Sequence, residues 1–172
     1  MDQSTDSPAN ATFPPQTLVV PPNGGKTLAA YGDTSEIKLG GAQTNGSMVV
    51  ALSTTPPSGG PPPHRHLKED ELFLVVEGSI RFLANGEWTD VLEPGTVVYT
   101  PRGVVHTFQN VGKTAARFWL IATPSGFEQF FSKSAEVFAA AGEGGTPDFS
   151  RLMAISGEYQ IEFVPPLAGP PH

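Results

Sequence analysis

Between Ser35 and about Ala122 the chain never sustains an apolar run for more than a handful of residues. Glycines, prolines and an Asn-Gly pair cut it into segments such as "SMVVALS", "ELFLVVEG", "SIRFLANGEW", "TVVYTPRG", "VVHTFQNVG" and "AARFWLIA". Runs this short cannot make bundle helices, but they suit strands joined by tight turns. Asn85-Gly86 lies between two such runs, and both residues accept the positive φ that a two-residue hairpin demands. With 19 glycines and 18 prolines in 172 residues, the pattern predicts one all-β domain, a sandwich or barrel. "LFLVV" and "FWLIA" are apolar on both faces, which predicts cover on both sides from a second sheet, the C-terminal segment or a partner chain.

The flanks read differently. Residues 1–34 are predicted to form an N-terminal arm, with "TLVV" at 17–20 as a possible edge strand. Residues 35–123 form the barrel, and 124–172 a helical extension of the same domain. In that extension Phe127, Phe130, Phe131, Ser134 and Phe138 recur at helical spacing, with Ser125 as start signal and Gly142 as stop. A second short helix is expected with Thr146 as N-cap, Pro147 in first position and Gly157 past its end. "YQIEF" then reads as a last strand. The phenylalanine stripe must dock on apolar surface. The outside of a sheet is the default, and the mouth of the barrel is the other surface available.

Charge and composition remove several function classes. The net charge is -7 and the sequence pI about 5.0, so nucleic acid and anionic membrane have no electrostatic attraction for the chain. The absence of cysteine excludes disulfides and thiolate metal sites. The polar N-terminal stretch has no signal-peptide character and no apolar run reaches transmembrane length, so a cytoplasmic location is the default expectation.

The chain holds four histidines, and His64 and His66 sit two apart in "PPPHRHLKEDELFLVVEG". On a strand that spacing projects both rings to one face and turns Arg65 away. His106 follows a Pro-Arg-Gly turn that can fold a distant strand back beside the pair. His172 is assigned no role. Glu69, Asp70 and Glu71 compete as the accompanying carboxylate. Glu71 opens the strand "ELFLVV" in phase with Phe73 and Val75, while Glu69 and Asp70 are expected in a solvated acidic turn. Three imidazoles and a carboxylate form a mixed N/O site for one divalent transition metal: Mn, Fe, Co, Ni, Cu or Zn. Phe73, Val75, Val104 and Phe108 are in phase with the ligands, and Tyr99 and Met48 are further candidates for contact with a substrate. Among strand arginines only Arg81 and Arg117 have a chance of facing inward. An apolar pocket of this kind suits an aromatic small molecule better than a phosphorylated sugar.

These residues carry a resemblance. "HRHLKEDELFLVVEG" resembles the first motif of the cupin superfamily through His64, His66, Glu71 and Gly78, with Ser58 standing where the motif has an upstream glycine. "GTVVYTPRGVVHTFQN" resembles the second motif through Gly95, Pro101, Gly103, His106 and Asn110. The resemblance implies a double-sheet β-barrel of jelly-roll type with one metal on His64, His66, Glu71 and His106. "GGPPPH", "HTFQN" and "PSGFEQFF" make the chain similar to small single-domain cupins related to quercetin 2,3-dioxygenase. That likeness implies a dioxygenase for a flavonol-like or other enolisable aromatic, with dioxygen as co-substrate and Glu71 as base. A metal-dependent isomerase or lyase and a non-catalytic binding module are the alternatives on the same site. The two-sided apolar strands and the unpartnered "TLVV" predict a homodimer.

Overall fold

Eleven short strands and three helices account for the regular structure of the computed structural model, which describes residues 16–142 and 144–165. In chain order they are β1 (Lys26–Ala30), β2 (Asp33–Leu39), α1 (Gly41–Thr44), β3 (Val49–Thr55), β4 (His64–His66), β5 (Asp70–Glu77) and β6 (Ile80–Ala84). Then follow β7 (Glu87–Trp88), β8 (Val97–Thr100), β9 (Thr107–Asn110), β10 (Ala116–Thr123), α2 (Phe127–Ala141), α3 (Phe149–Glu158) and β11 (Ile161–Phe163). Residues 1–15 of the expected arm, and His172 with the rest of 166–172, lie outside the described residues.

β1, β2, β3, β10, β5 and β8 form one antiparallel sheet in that order, and β7-β6-β9 form a second. β4 and β11 pair separately, and a bridge between His64 and His106 ties them to the second layer. Two-residue alternation makes this geometry work. Phe118, Leu120 and Ala122 of β10 and Phe73 and Val75 of β5 turn inward, where they meet Ile80, Phe82 and Phe108 from the facing layer. Burying one such phenylalanine contributes about 1.5–3 kcal/mol. The jelly-roll expectation for the fold holds.

On the outer face of the large sheet Leu72, Leu74, Trp119 and Ile121 are only half-buried, and Val76, Val97 and Tyr99 are exposed, so among the described residues neither a second sheet nor the C-terminal segment covers this side, and a partner chain is the one expected cover left. The large sheet also starts at Lys26, within the stretch read as an arm, while residues 17–20 form no strand.

The hairpin at Asn85-Gly86 forms as predicted, with φ of 53° and 86°. Tyr31-Gly32, with φ of 54° and 86°, makes a second turn of the same kind between β1 and β2. Helix α2 ends at Gly142 as expected, but its N-cap is Gly126 rather than Ser125. Helix α3 is capped by Asp148, whose carboxylate accepts from the Arg151 amide, and it runs through Gly157. A short acceptor one residue before a helix outcompetes Thr146, which lies two residues too early. The phenylalanine stripe does not dock on the outer sheet. Phe130, Phe131 and Val137 pack with Leu28 and Ala30 of β1, Ile161 of β11 and Leu152 and Ile155 of α3. Leu28 and Ala30 pair with Ser35 and Asp33 on the inward side, so α2 closes the interior. Among the described residues no helix is long and apolar enough to cross a membrane.

Candidate metal centre

Strand β4 presents His64 and His66 to the interior, and its backbone locks them there. The His64 amide donates to the His106 carbonyl at 3.0 Å and the His106 amide returns the bond at 2.9 Å. The Gly103 amide donates to the His66 carbonyl at 2.6 Å, from a φ of 83° that disfavours a side chain. The Pro-Arg-Gly turn therefore carries His106 directly against the histidine pair. Glu71 arrives from the large sheet, opposite Ala122 and Thr100 on the inward face.

Each of the three histidines His64, His66 and His106 spends its Nδ1 on the protein. His64 Nδ1 lies 3.0 Å from the Pro62 carbonyl, His106 Nδ1 lies 3.1 Å from the Val104 carbonyl, and His66 Nδ1 lies 3.3 Å from Glu69 Oε2. Donation from Nδ1 fixes the tautomer that leaves a lone pair on Nε2. One ligand atom from each of His64, His66, Glu71 and His106 lies within 4.8 Å of every other. His66 Nε2, His106 Nε2 and Glu71 Oε2 are buried without a hydrogen-bond partner, although His106 Nε2 and Glu71 Oε2 stand only 2.8 Å apart. Buried polar atoms that converge yet satisfy nothing are what a metal ion would satisfy. The donor set fits a divalent transition metal.

The electrostatics favour the ligating forms of His64 and Glu71 and oppose that of His66. Burial, with the neighbouring His106 and His66, pulls His64 down to about 3, so it is neutral at physiological pH. Burial pushes Glu71 up, but His66, His106 and His64 outweigh it and hold the carboxyl at about 2. Burial also pulls His66 down, but Glu71 and Glu69 outweigh it and leave its pKa raised.

Other expected residues are placed differently. Glu69 is 2% exposed, buried against His66, and does not lie in a solvated turn. Asp70 behaves more as expected, receiving the Arg102 guanidinium and backbone amide at the rim. Tyr99 pairs with Leu72 and points outward at 60% exposure, and Met48 is exposed at the end of a loop, so neither meets the site. Val75 is inward but lines a separate hollow with Ile80 and Val98, while Phe73 and Phe108 reach the ligands' own cavity. Val104 is half-buried and off the cavity wall. Arg117 pairs with Glu77 on the outside, and neither it nor Arg81 lines the cavity. Asn110 is fully buried and serves backbone, donating to the Thr55 and Thr114 carbonyls.

The cavity beside the ligands measures about 60 Å³. Phe127, Phe130 and Phe131 of α2 form part of its wall, and the Phe127 ring sits 5.3 Å from that of His66. Ala30, Tyr31, Asp33 and Ser35, from the hairpin at the sheet's edge, line it too. Sequence reasoning missed these hairpin residues and Glu69.

Residues 51–122 match the family described as a cupin domain. Over these residues the chain carries a cupin domain. No curated protein matches it in sequence. Among solved structures, this cupin is similar to the polyketide cyclase RemF from Streptomyces resistomycificus, at 24% identity and a TM-score of 0.55 over 64% of this chain and 81% of that one. It is also similar to a predicted oxalate decarboxylase from Thermotoga maritima, at 25% identity and a TM-score of 0.50 over 54% and 80%. KdgF from Halomonas sp. aligns at 17% identity and a TM-score of 0.51 over 57% and 84%. Where the first cupin motif has its upstream glycine, Ser58 takes a φ of 63°, so the loop keeps its left-handed turn with a side chain in place. The matched segment of this cupin contains all four ligands, whereas Tyr31, Asp33 and the α2 phenyl rings lie outside it.

Proposed function

We propose that this cupin is a metal-dependent dioxygenase acting on a flavonol-like or other enolisable aromatic compound. The observation that supports the reading is the make-up of the cavity: His64, His66 and Glu71 open onto walls of Phe73, Phe108, Phe118, Phe127, Phe130 and Phe131, with no lysine or arginine among the described lining residues. Such walls suit aromatic rings and offer nothing to a phosphate or a second carboxylate.

A divalent transition metal on His64, His66, Glu71 and His106 would acidify a chelating hydroxyl and, if redox-active, couple the resulting enolate to dioxygen. Glu71 is ionised across the neutral range and no donor is aligned on its Oε2, so it can take the proton from that hydroxyl. The three Nδ1 anchors keep the imidazoles from turning as this happens. The phenyl rings exclude water from the reacting oxygens. Both oxygen atoms of dioxygen end in the cleaved product, so no external reductant is required. A cavity of about 60 Å³ is smaller than an aromatic ring needs, so Phe127 and its neighbours on α2 must swing aside to admit one.

The test is oxygen uptake by metal-loaded protein across a panel of flavonols and 1,3-diketones, with isotopically labelled dioxygen followed into product. Uptake with both labelled atoms retained supports the dioxygenase. Turnover of the same compounds without oxygen replaces it with a lyase or isomerase, and a panel bound but never turned over leaves a binding module.

A further inference from the structure

The cavity has a second polar wall, away from the metal ligands. Asp33, the first residue of β2, lines it and is 8% exposed. Its carboxyl faces the buried Thr55 hydroxyl, which pulls its pKa down, but the two lie outside good hydrogen-bond geometry and neither Asp33 Oδ1 nor the Thr55 hydroxyl has a well-formed partner. Ser35 and Ser53 lie further along the same face, their hydroxyls bonded to each other at 2.7 Å and both lining the cavity. In such a pair one hydroxyl donates to the other and keeps its own acceptor capacity. A buried carboxylate oxygen whose nearest donor is so poorly aligned is costly and has acceptor capacity to spare. Burial pushes the Asp33 carboxyl up to about 6, which still leaves it largely ionised at neutral pH. The turn that sets it in place uses Tyr31 at a φ of 54°, where a non-glycine residue is strained. The Tyr31 ring is held between Phe130, Phe138 and Phe163, so the hairpin is pinned against the helix that closes the cavity.

We propose that Asp33, supported by the Ser35–Ser53 pair, is a ligand-binding pole that accepts a hydroxyl or N–H group from the end of the ligand opposite its metal-chelating oxygens. The ligand class follows: an elongated, mostly apolar ring system with a chelating oxygen pair at one end and an uncharged hydrogen-bond donor at the other. A second carboxylate at that end is disfavoured by the ionised Asp33. This assignment rests on the metal-centred reading of the site, because the pole is defined relative to the chelating end. It does not require that the ligand be oxidised.

The probes are 3-hydroxyflavone and 3,4′-dihydroxyflavone, which share the chelating pair and differ only in a distal hydroxyl. Their binding to metal-loaded protein is titrated without oxygen from the absorbance change on chelation. Wild type should bind the dihydroxy compound at least about tenfold more tightly, the usual worth of a hydrogen bond to a charged acceptor. Asp33→Ala should narrow that ratio to within about twofold. Asp33→Asn, which preserves the shape and keeps a neutral acceptor, should fall between and serves if the alanine variant does not fold. Equal affinities in wild type, or a ratio that persists in both variants, overturns the proposal. So does binding of neither probe by protein that retains its metal. A preserved ratio with no oxygen uptake counts against the dioxygenase alone.

Discussion

Glu69 offers the sharpest test of how the metal centre is built. Its Oε2 lies 3.3 Å from His66 Nδ1, and the two side chains are 1% and 2% exposed. Replacing Glu69 with alanine leaves a buried N–H with no acceptor, which costs roughly 1–3 kcal/mol of folding stability. It also frees His66 to place its proton on Nε2, the nitrogen that must ligate. Loss of such a partner lowers metal affinity by about 10- to 100-fold, equivalent to about 1.4–2.8 kcal/mol. Glu69→Gln keeps an acceptor for Nδ1–H and removes only the charge, so it should lose less than the alanine variant on both counts. Competition of Zn²⁺ or Mn²⁺ between the protein and a chromogenic chelator reads the affinity, and urea unfolding of the metal-free protein reads the stability. An alanine variant that binds metal as tightly as wild type would refute the reasoning, whatever its stability, because Glu69 would then be a buried group with no influence on His66.

Five further outcomes are expected. His64→Ala combined with His106→Ala should abolish stoichiometric metal by elemental analysis. In wild type, affinity should fall with pH starting above the ordinary histidine value of about 6.5, because His66 has its pKa raised and its protonation competes with the metal. Asp33 has its pKa raised from 3.8 to about 6, so its contribution to stability is fully present below pH 3.8 and lost as pH rises through about 6. Asp33→Asn should therefore be more stable than wild type at pH 7, by up to about 3 kcal/mol in urea, with the advantage gone at pH 3.5; an equal gap at both pH values would contradict this. Phe127→Ala should open the cavity above His66 and change ligand affinity or turnover at full metal content, whereas unchanged kinetics would remove α2 from any gating role. Finally, the outer stripe of exposed Val97 and Tyr99 and half-buried Leu72, Leu74, Trp119 and Ile121 should pair two copies of the chain, and sedimentation showing only monomer at micromolar concentration would exclude it.

The clustering of His64, His66, Glu71 and His106 was legible because its logic is local. Parity put His64 and His66 on one face, a Pro-Arg-Gly turn returned His106, and the start of an apolar strand selected Glu71. What stayed hidden depended on register and distant cover. Tyr99 and Thr100 are adjacent, and only the pairing of Thr100 with Glu71 decides that Tyr99 faces out. Glu69 reads as one more acid in a polar turn. Its burial comes from the N-terminal end of α2, where a side chain at Gly126 would lie 3.7 Å from Glu69 Oε1, more than fifty residues later. Asp33 was lost because Tyr31-Gly32 lacks the Asn or Asp that marks such turns, so the hairpin hid inside an apparent arm.

The pairing of β4 with β11 bears on the order in which the protein can be completed during synthesis. Three residues as short as His64–His66 hold their ladder on one side through Ile161–Phe163, and the Val164 and Leu67 amides extend it to the Pro63 and Gln160 carbonyls. Those partners lie nearly a hundred positions apart, and loops that long close late. A nascent chain that has released the whole β5–β10 region still has its histidine strand unpaired on that side. The histidine strand gains its full set of backbone partners only once residue 164 is free to dock, so any loading of a metal is expected to follow translation rather than guide it.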